Sequence, residues 1–299
     1  MTSAAHPVID AHGIPFGALY NRGTFAFPHA LSTHPLFELP ALLELAARRE
    51  PSPTYAYWST GKVTREDRWE KGSKAGPSLQ DAIAQIPHND SLVMLKRVEE
   101  DALYGPLLQQ IFAELFQHAG PVMTEDVIVG RGTILIASPQ RITAYHLDAD
   151  VNFLFQVKGD KRLDVFDGSR PEVVTARELE LYFCGDHSAA KYSPEKQGHA
   201  VSYDLRAGTG VHIPSLSPHW VQNSSQVSIA LSVNFDLKSL ARLARLHRMN
   251  AKLRRLGANP RAPGSSKVRD RVKLASFAAL GAASALIGRR RGATEPSTG

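Results

Sequence analysis

Two histidines and an aspartate are the residues whose types and spacing first suggest chemistry. Imidazole nitrogens with a carboxylate form a donor set for divalent first-row metals that leaves coordination positions free. In His146-Leu147-Asp148 the two donors are separated by one residue. On an extended strand, residues two apart project to the same face, and a histidine from a distant strand can complete a facial set of three. His219 is the candidate third ligand. Two neutral imidazoles and one carboxylate suit Fe(II), with open positions for an oxo acid and dioxygen. The doublet alone is weak, since 12 His and 29 Asp+Glu in 299 residues give roughly one His-x-acid triplet by chance. A second triplet does occur, His88-Asn89-Asp90, but it follows Pro87 at a helix end and is assigned to a cap or turn.

Such a site needs strands to hold it, and the chain beyond Gly120 supplies them. Short β-branched and aromatic runs cover Asp126 to Val129, Thr133 to Ala137, Asn152 to Val157, Arg162 to Phe166, Ser202 to Leu205, Gly210 to Ile213, His219 to Gln222, and Ser228 to Phe235. Gly130, Ser138-Pro139, Lys158-Gly159-Asp160, Asp167-Gly168, Ala207-Gly208 and Asn223-Ser224 punctuate them as turns. This mainly β pattern predicts a double-stranded β-helix, a jelly-roll or cupin barrel, with helices at both ends. Tyr182 to His199 lacks a period and reads as a long loop placed to cover a site.

The front of the chain is read as helical. Residues up to Pro35 form a loosely packed arm, and helices are predicted over Leu36 to Arg49, after the capping hydroxyl of Ser78, and along the stripe Leu103, Leu107, Leu108, Ile111, Phe112, Leu115 and Phe116. After Phe235 a basic helix runs from Leu237 to about Leu256 and Gly257 ends it; the linker Asn259 to Ser266 leads to the apolar run Leu274 to Ile287. That run is too short to span a bilayer. The predicted division is therefore 1–120 as arm and helical lead-in, 121–236 as barrel, and 237–299 as basic helical extension.

The net charge of +6 conceals an asymmetry. From Leu237 onward 15 Lys/Arg face only Asp270 and Glu295, so this part carries +13 and the preceding residues −7. Attraction to an anionic membrane or nucleic acid is confined to the tail, whose apolar run packs on the barrel, on a second subunit in a homodimer, or at a membrane surface. The single cysteine, Cys184, excludes an intrachain disulfide and a Cys-based metal site. With no signal-like start, a cytoplasmic setting is expected, peripheral to a membrane if the tail anchors there.

The segment from Thr143 to Arg162 reads TAYHLDADVNFLFQVKGDKR, containing T-x-x-H-x-D, then Asn152, then Gln156-x-x-Gly159-x-Lys161. A later segment, Gly208 to Trp220, has a glycine turn, Ile213-Pro214 and His219, and Ser232-Val233-Asn234-Phe235 closes the series. Over Thr133 to Phe235 the chain resembles the jumonji-C family of cupin-like, Fe(II)- and 2-oxoglutarate-dependent oxygenases, particularly its asparaginyl-hydroxylase-like branch. The resemblance implies that His146, Asp148 and His219 bind Fe(II) and that Lys161 pairs with the far carboxylate of the co-substrate. Thr143 would add a hydroxyl to that carboxylate, while Asn152 and Asn234 supply amides near co-substrate and metal. Lys158 is the rival lysine, set aside because it occupies the turn. The family's co-substrate tyrosine has no placeable counterpart here.

The implied activity is that of a dioxygenase consuming 2-oxoglutarate and O₂, releasing succinate and CO₂, and hydroxylating a protein or peptide side chain or a small metabolite. The competing function is a metal-binding cupin without oxygen chemistry, serving as a sensor or regulatory binding protein. A third reading makes the basic tail primary and the barrel its scaffold. His212 is read as a core or supporting histidine, Tyr145 and Trp220 as packing around the site, and His187, Lys191 and Tyr192 as solvated loop residues.

Overall fold

Alternation of inward and outward side chains from Val127 onward builds two antiparallel sheets that face each other. The computed structural model of the protein describes residues 6–49, 52–68 and 77–277. Its strands are β1 (Phe25–Pro28), β2 (Ala56–Ser59), β3 (Leu92–Lys96), β4 (Val127–Ala137), β5 (Ile142–His146), β6 (Val151–Lys158), β7 (Lys161–Phe166), β8 (Ala200–Leu205), β9 (Thr209–Ile213), β10 (His219–Asn223) and β11 (Ser228–Leu237). The larger sheet has the order β1-β9-β6-β11-β4-β3-β2 and the smaller β5-β10-β7-β8. β4 to β11 thus divide four and four between the sheets, the double-stranded β-helix that the sequence predicts. β1 extends the larger sheet at one edge, and β3 with β2 at the other.

Two of the predicted strands are one. Gly130 is not a turn but the middle of β4, where its missing side chain leaves room for the Phe235 ring; a Cβ there would lie 2.8 Å from Phe235 Cε1. A strand absent from the predicted runs is β5, which carries His146 as its last residue. The residues read as a loose arm are also structured. β1 pairs with β9 from Phe25↔His212 to Pro28↔Thr209, and a Cβ on Gly210 would lie 2.4 Å from the Phe27 ring. Phe16 and Phe27 are buried against Phe153, Phe27 also meets Phe155, and Phe25 packs on Phe16 and Phe27, so aromatic packing holds this segment.

Helices cover the outer face of the larger sheet. They are α1 (Phe16–Leu19), α2 (Leu39–Arg48), α3 (Leu79–Ala84), capped by Ser78 Oγ, α4 (Gly105–Ala119) and the single turn α5 (Pro121–Thr124). Leu107, Leu108, Ile111 and Leu115 of α4 bury the predicted stripe. The segment expected to be a loop opens with the end of a helix. α6 (Ala176–Phe183) starts at a capping box made by Thr175 and Glu178, and a 3-10 helix spans Pro194–His199. α7 (Lys238–Arg255) follows β11 directly, and a further helix occupies 267–277. The run Leu274 to Ile287 lies outside the described residues beyond Phe277. Among the described residues no helix is long and apolar enough to cross a membrane.

The main hydrophobic cluster lies between these helices and the larger sheet. Between the sheets only a smaller cluster forms, from Leu154, Leu163, Val165, Leu205, Val211, Ile213 and Ala230. The rest of that interior is a cavity.

Candidate metal centre

Antiparallel pairing of β5 and β10 sets His219 directly opposite His146. Their rings lie 4.2 Å apart between centroids. His146 Nδ1 is 2.8 Å from Ala144 O and His219 Nδ1 is 3.1 Å from Ser217 O. A carbonyl only accepts, so each Nδ1 carries the proton and donates, leaving each Nε2 lone pair to face inward. Those nitrogens lie 3.7 and 3.8 Å from Asp148 Oδ2. One donor atom from each of the three residues lies within 4.8 Å of the others, the spacing of a tridentate metal group. Burial holds both imidazoles near a pKa of about 4, so both are neutral at physiological pH, the form in which an imidazole can bind a metal. For His219 the neighbouring His146 adds to that effect. Burial also raises the Asp148 carboxyl above its usual range, although nearby His219 and His187 pull it back. A bound cation reverses that penalty.

The doublet is not held by strand alternation. β5 ends at His146, and Asp148 sits in the loop after it. Asp148 O accepts a 2.7 Å hydrogen bond from Leu216 N, which ties that loop to the segment preceding His219. Leu216 adopts φ +59, and a Cβ on Gly168 would lie 1.9 Å from Leu216 O. Two loops and a glycine contact therefore fix the ligand geometry.

The three residues open onto a cavity of about 380 Å³ between the sheets, also lined by Thr143, Asn152, Lys161 and Asn234. The structure thus brings all seven sequence-selected residues to one space. Lys161 is the first residue of β7 and 7% exposed. No acid pairs with it among the described residues, and burial pulls its pKa down to about 7. Lys158 instead forms an ion pair with Glu38 at the surface. Asn152 Nδ2 donates to Ser232 Oγ at 2.6 Å, and Ser232 donates to Asn234 Oδ1 at 2.7 Å. That chain orients the Asn234 amide, while Asn152 Oδ1 is buried without a partner. The free Lys161 ammonium and the Asn234 amide N–H fit an anionic guest beside a metal, whereas the orphaned Asn152 Oδ1 only accepts and fits a donor.

Gln156 explains the Q-x-x-G-x-K pattern. Its two amide N–H groups are shared among Lys158 O, Gly159 O and Ser228 Oγ, clamping the β6–β7 turn. Gly159 adopts φ +69, and a Cβ on it would lie 2.4 Å from Val227 O. The clamped turn directs Lys161 inward.

Other residues depart from expectation or escaped it. Tyr145 and Trp220 are buried but do not line the cavity: Tyr145 packs on Phe166 and Tyr192, and Trp220 lies under Arg65. Being adjacent to His146 and His219 in strands, they face the other way. His212 accepts from Asn21 N through Nε2 and lies among Phe25, Phe153 and Tyr20, so it pins the N-terminal segment to the barrel. His187 is exposed beside Tyr182, and Tyr192 covers the outside of the smaller sheet near Tyr145. No tyrosine lines the cavity among the described residues; Met94, Lys96, Thr133 and Leu135 stand on β3 and β4 instead. Sequence reasoning missed Arg131, Asp150, Asn223, Ser228 and Ser232. The signal for the serines was present, since Ser228, Ser232 and Asn234 alternate with apolar Ile229, Leu231, Val233 and Phe235 along β11.

Fold and site define a double-stranded β-helix with a His-Asp-His group suited to holding a metal at one end of its interior. The chain matches no protein-family model and no curated relative. Among solved structures it is similar to the Escherichia coli ribosomal oxygenase YcfD, with 15% identity over 87% of this chain and 63% of that one, at a TM-score of 0.45. A structure of that protein in complex with cobalt and 2-oxoglutarate matches at 16% identity, the same coverage and a TM-score of 0.47. A mutant of Bacillus subtilis oxalate decarboxylase matches at 14% over 44% of this chain and 29% of that one, with a TM-score of 0.25. The chain thus covers less than two thirds of the length of each.

Proposed function

We propose that the protein is an Fe(II)- and 2-oxoglutarate-dependent oxygenase that hydroxylates a C–H bond of a protein, peptide or small-molecule substrate. The observation that carries this reading is the joint lining of one cavity by the His146, Asp148 and His219 donors and by the unpaired, buried Lys161. Iron and the oxo acid, when bound, would supply the oxidising chemistry. The chain supplies placement. His146 and His219 present fixed Nε2 lone pairs, and Asp148 adds the negative charge that neutralises part of the cation. Lys161 becomes the counter-ion of the far carboxylate, with the Thr143 hydroxyl beside it and the Asn234 amide directed by Ser232. Leu135, Leu154, Ile213 and Val221 give the cavity apolar walls that strengthen these contacts by excluding water.

The test is anaerobic titration with Fe(II) and 2-oxoglutarate, followed by O₂ and assay of succinate. Asp148→Ala is expected to lose metal binding and turnover together; Lys161→Ala keeps the metal and loses co-substrate affinity. Retention of zinc or nickel with no consumption of 2-oxoglutarate under any condition would instead establish a metal-binding cupin without oxygen chemistry.

A further inference from the structure

A second hollow borders the metal cavity. Asp150 lines that cavity and also this hollow, a groove of about 460 Å³ whose apolar wall is Ile128, Leu237, Leu240 and Ala244. Phe183, Gly185 and Arg248 belong both to this groove and to a further depression of about 510 Å³, where Lys252 and Arg255 stand. Shared lining residues therefore set three adjacent hollows in a row from Asp148 to the far end of α7.

Charge changes sign along this path. Asp150 and Asp236 face the inner end, with Asp236 bonded to Arg131 at 2.7 Å. α7 contains no acidic residue. Its exposed Arg242, Arg245, Arg248, Lys252 and Arg255 follow one another at helical spacings of three and four, forming one stripe. No acid pairs with Arg242, Arg245, Lys252 or Arg255 among the described residues; the internal ion pair of α7 with α6 uses Arg254 and Glu180. Arg248, Lys252 and Arg255 line the path and Arg242 and Arg245 stand beside it on the same helix; from Arg242 to Arg255 the stripe is about 20 Å long, which matches roughly six residues of extended peptide.

We propose that the substrate is a polypeptide segment with acidic residues on one side of the reacting residue, laid along α7 so that the reacting side chain passes Asp150 into the metal cavity. A nucleic acid fits this surface less well. Tyr182 and Phe183 are buried and Phe277 lies under the Lys252 ammonium, so the rings along the path are not free to stack bases. The proposal rests on the metal cavity being the reaction centre, but peptide binding is measurable without metal, so the two fail separately.

The experiment is fluorescence anisotropy on the metal-free 299-residue chain with a labelled Glu-Ala repeat peptide, its Lys-Ala counterpart and an oligouridylate. The Glu-Ala peptide is expected to bind, and to weaken as salt rises. The triple variant Arg245→Glu/Lys252→Glu/Arg255→Glu loses about tenfold or more in affinity. Ala241→Trp, which fills the groove without changing charge, weakens binding as well. The triple variant Lys267→Glu/Arg269→Glu/Arg271→Glu, exposed and off the stripe, changes it by less than about twofold. Equal losses in the two triple variants, unaffected binding in Ala241→Trp, or tighter binding of oligouridylate through the same residues would each overturn the proposal. Fe(II) and 2-oxoglutarate titrations of the same variants report on the reaction centre independently.

Discussion

Lys161 is costly to the fold and valuable to the site. An ammonium buried with no acid beside it loses hydration, which is why its pKa falls from the ordinary lysine value of 10.5 to about 7. The unfolded chain keeps that lysine protonated up to 10.5, so between about pH 7 and 10.5 the unfolded state binds more protons and stability rises with pH. Below about 7 the folded lysine is protonated too and the slope vanishes. Co-substrate binding has the opposite requirement, because an anionic guest needs the charged form. Affinity for 2-oxoglutarate is therefore expected to be flat below about pH 7 and to weaken roughly tenfold per unit above it, with one proton taken up on binding. Calorimetry in buffers of different ionisation enthalpy measures that proton; binding with no uptake at about pH 8 would place the anion elsewhere. Lys161→Met removes the charge at similar volume. It is expected to raise stability by about 1–3 kcal/mol in urea melts while abolishing co-substrate binding. A variant neither more stable nor weaker in binding would contradict both roles.

At the scale of elements, the site depends on contacts between segments far apart in sequence, and these were the least legible. The strands, the capped helix after Ser78 and the donors themselves follow from periodicity and residue type. The pairing of β5 with β10, which sets the two histidines opposite each other, does not, and neither does the contact of Gly168 with Leu216. Gly130 shows the same limit: alone it reads as a turn, and only the Phe235 ring across the sheet explains it as a slot. The segment before α6 shows the reverse case, since Thr175 and Glu178 form a capping box legible in the sequence, while the polar residues beyond Phe183 mask the helix that it starts. Gly168→Ala places a methyl against Leu216 O, overpacking that costs about 1–3 kcal/mol and moves the segment carrying His219. Metal affinity is expected to fall in Gly168→Ala although no ligand is changed, and isothermal titration against chemical denaturation separates the two losses. Unchanged affinity in a destabilised variant would show that His219 is held independently of that loop. Gln156→Leu, by releasing the turn before Lys161, is expected to weaken co-substrate binding while leaving metal affinity intact.

For the whole molecule, the question is how a strongly basic helix stays attached to a barrel and shapes its entrance. α7 continues from β11, and the link is fastened by Lys238 N to Asp126 O at 2.8 Å and Ser239 N to Asp126 Oδ1 at 2.8 Å. Its far half is held by α6. Glu180, fully buried, accepts from Arg254 Nε and Nη2 at 2.9 and 3.0 Å, and Arg248 Nε donates to Phe183 O at 2.7 Å. Burial alone would raise the Glu180 pKa, but Arg254 and Arg177 outweigh it and hold it below the usual range. The pair thus stabilises above the normal carboxylate pKa and loses that contribution as pH falls through the lowered one. Glu180→Gln leaves Arg254, itself partly exposed, with a neutral partner, a loss of about 1–2 kcal/mol. Because the barrel core does not include this pair, the loss should be local. Hydrogen exchange is expected to quicken in α6 and the second half of α7 while β6 and β11 keep their protection. Uniform loss of protection would mean that α7 is part of the barrel's cooperative unit. Metal binding should survive this substitution, whereas peptide affinity should fall, since the groove has α6 on one side and α7 on the other.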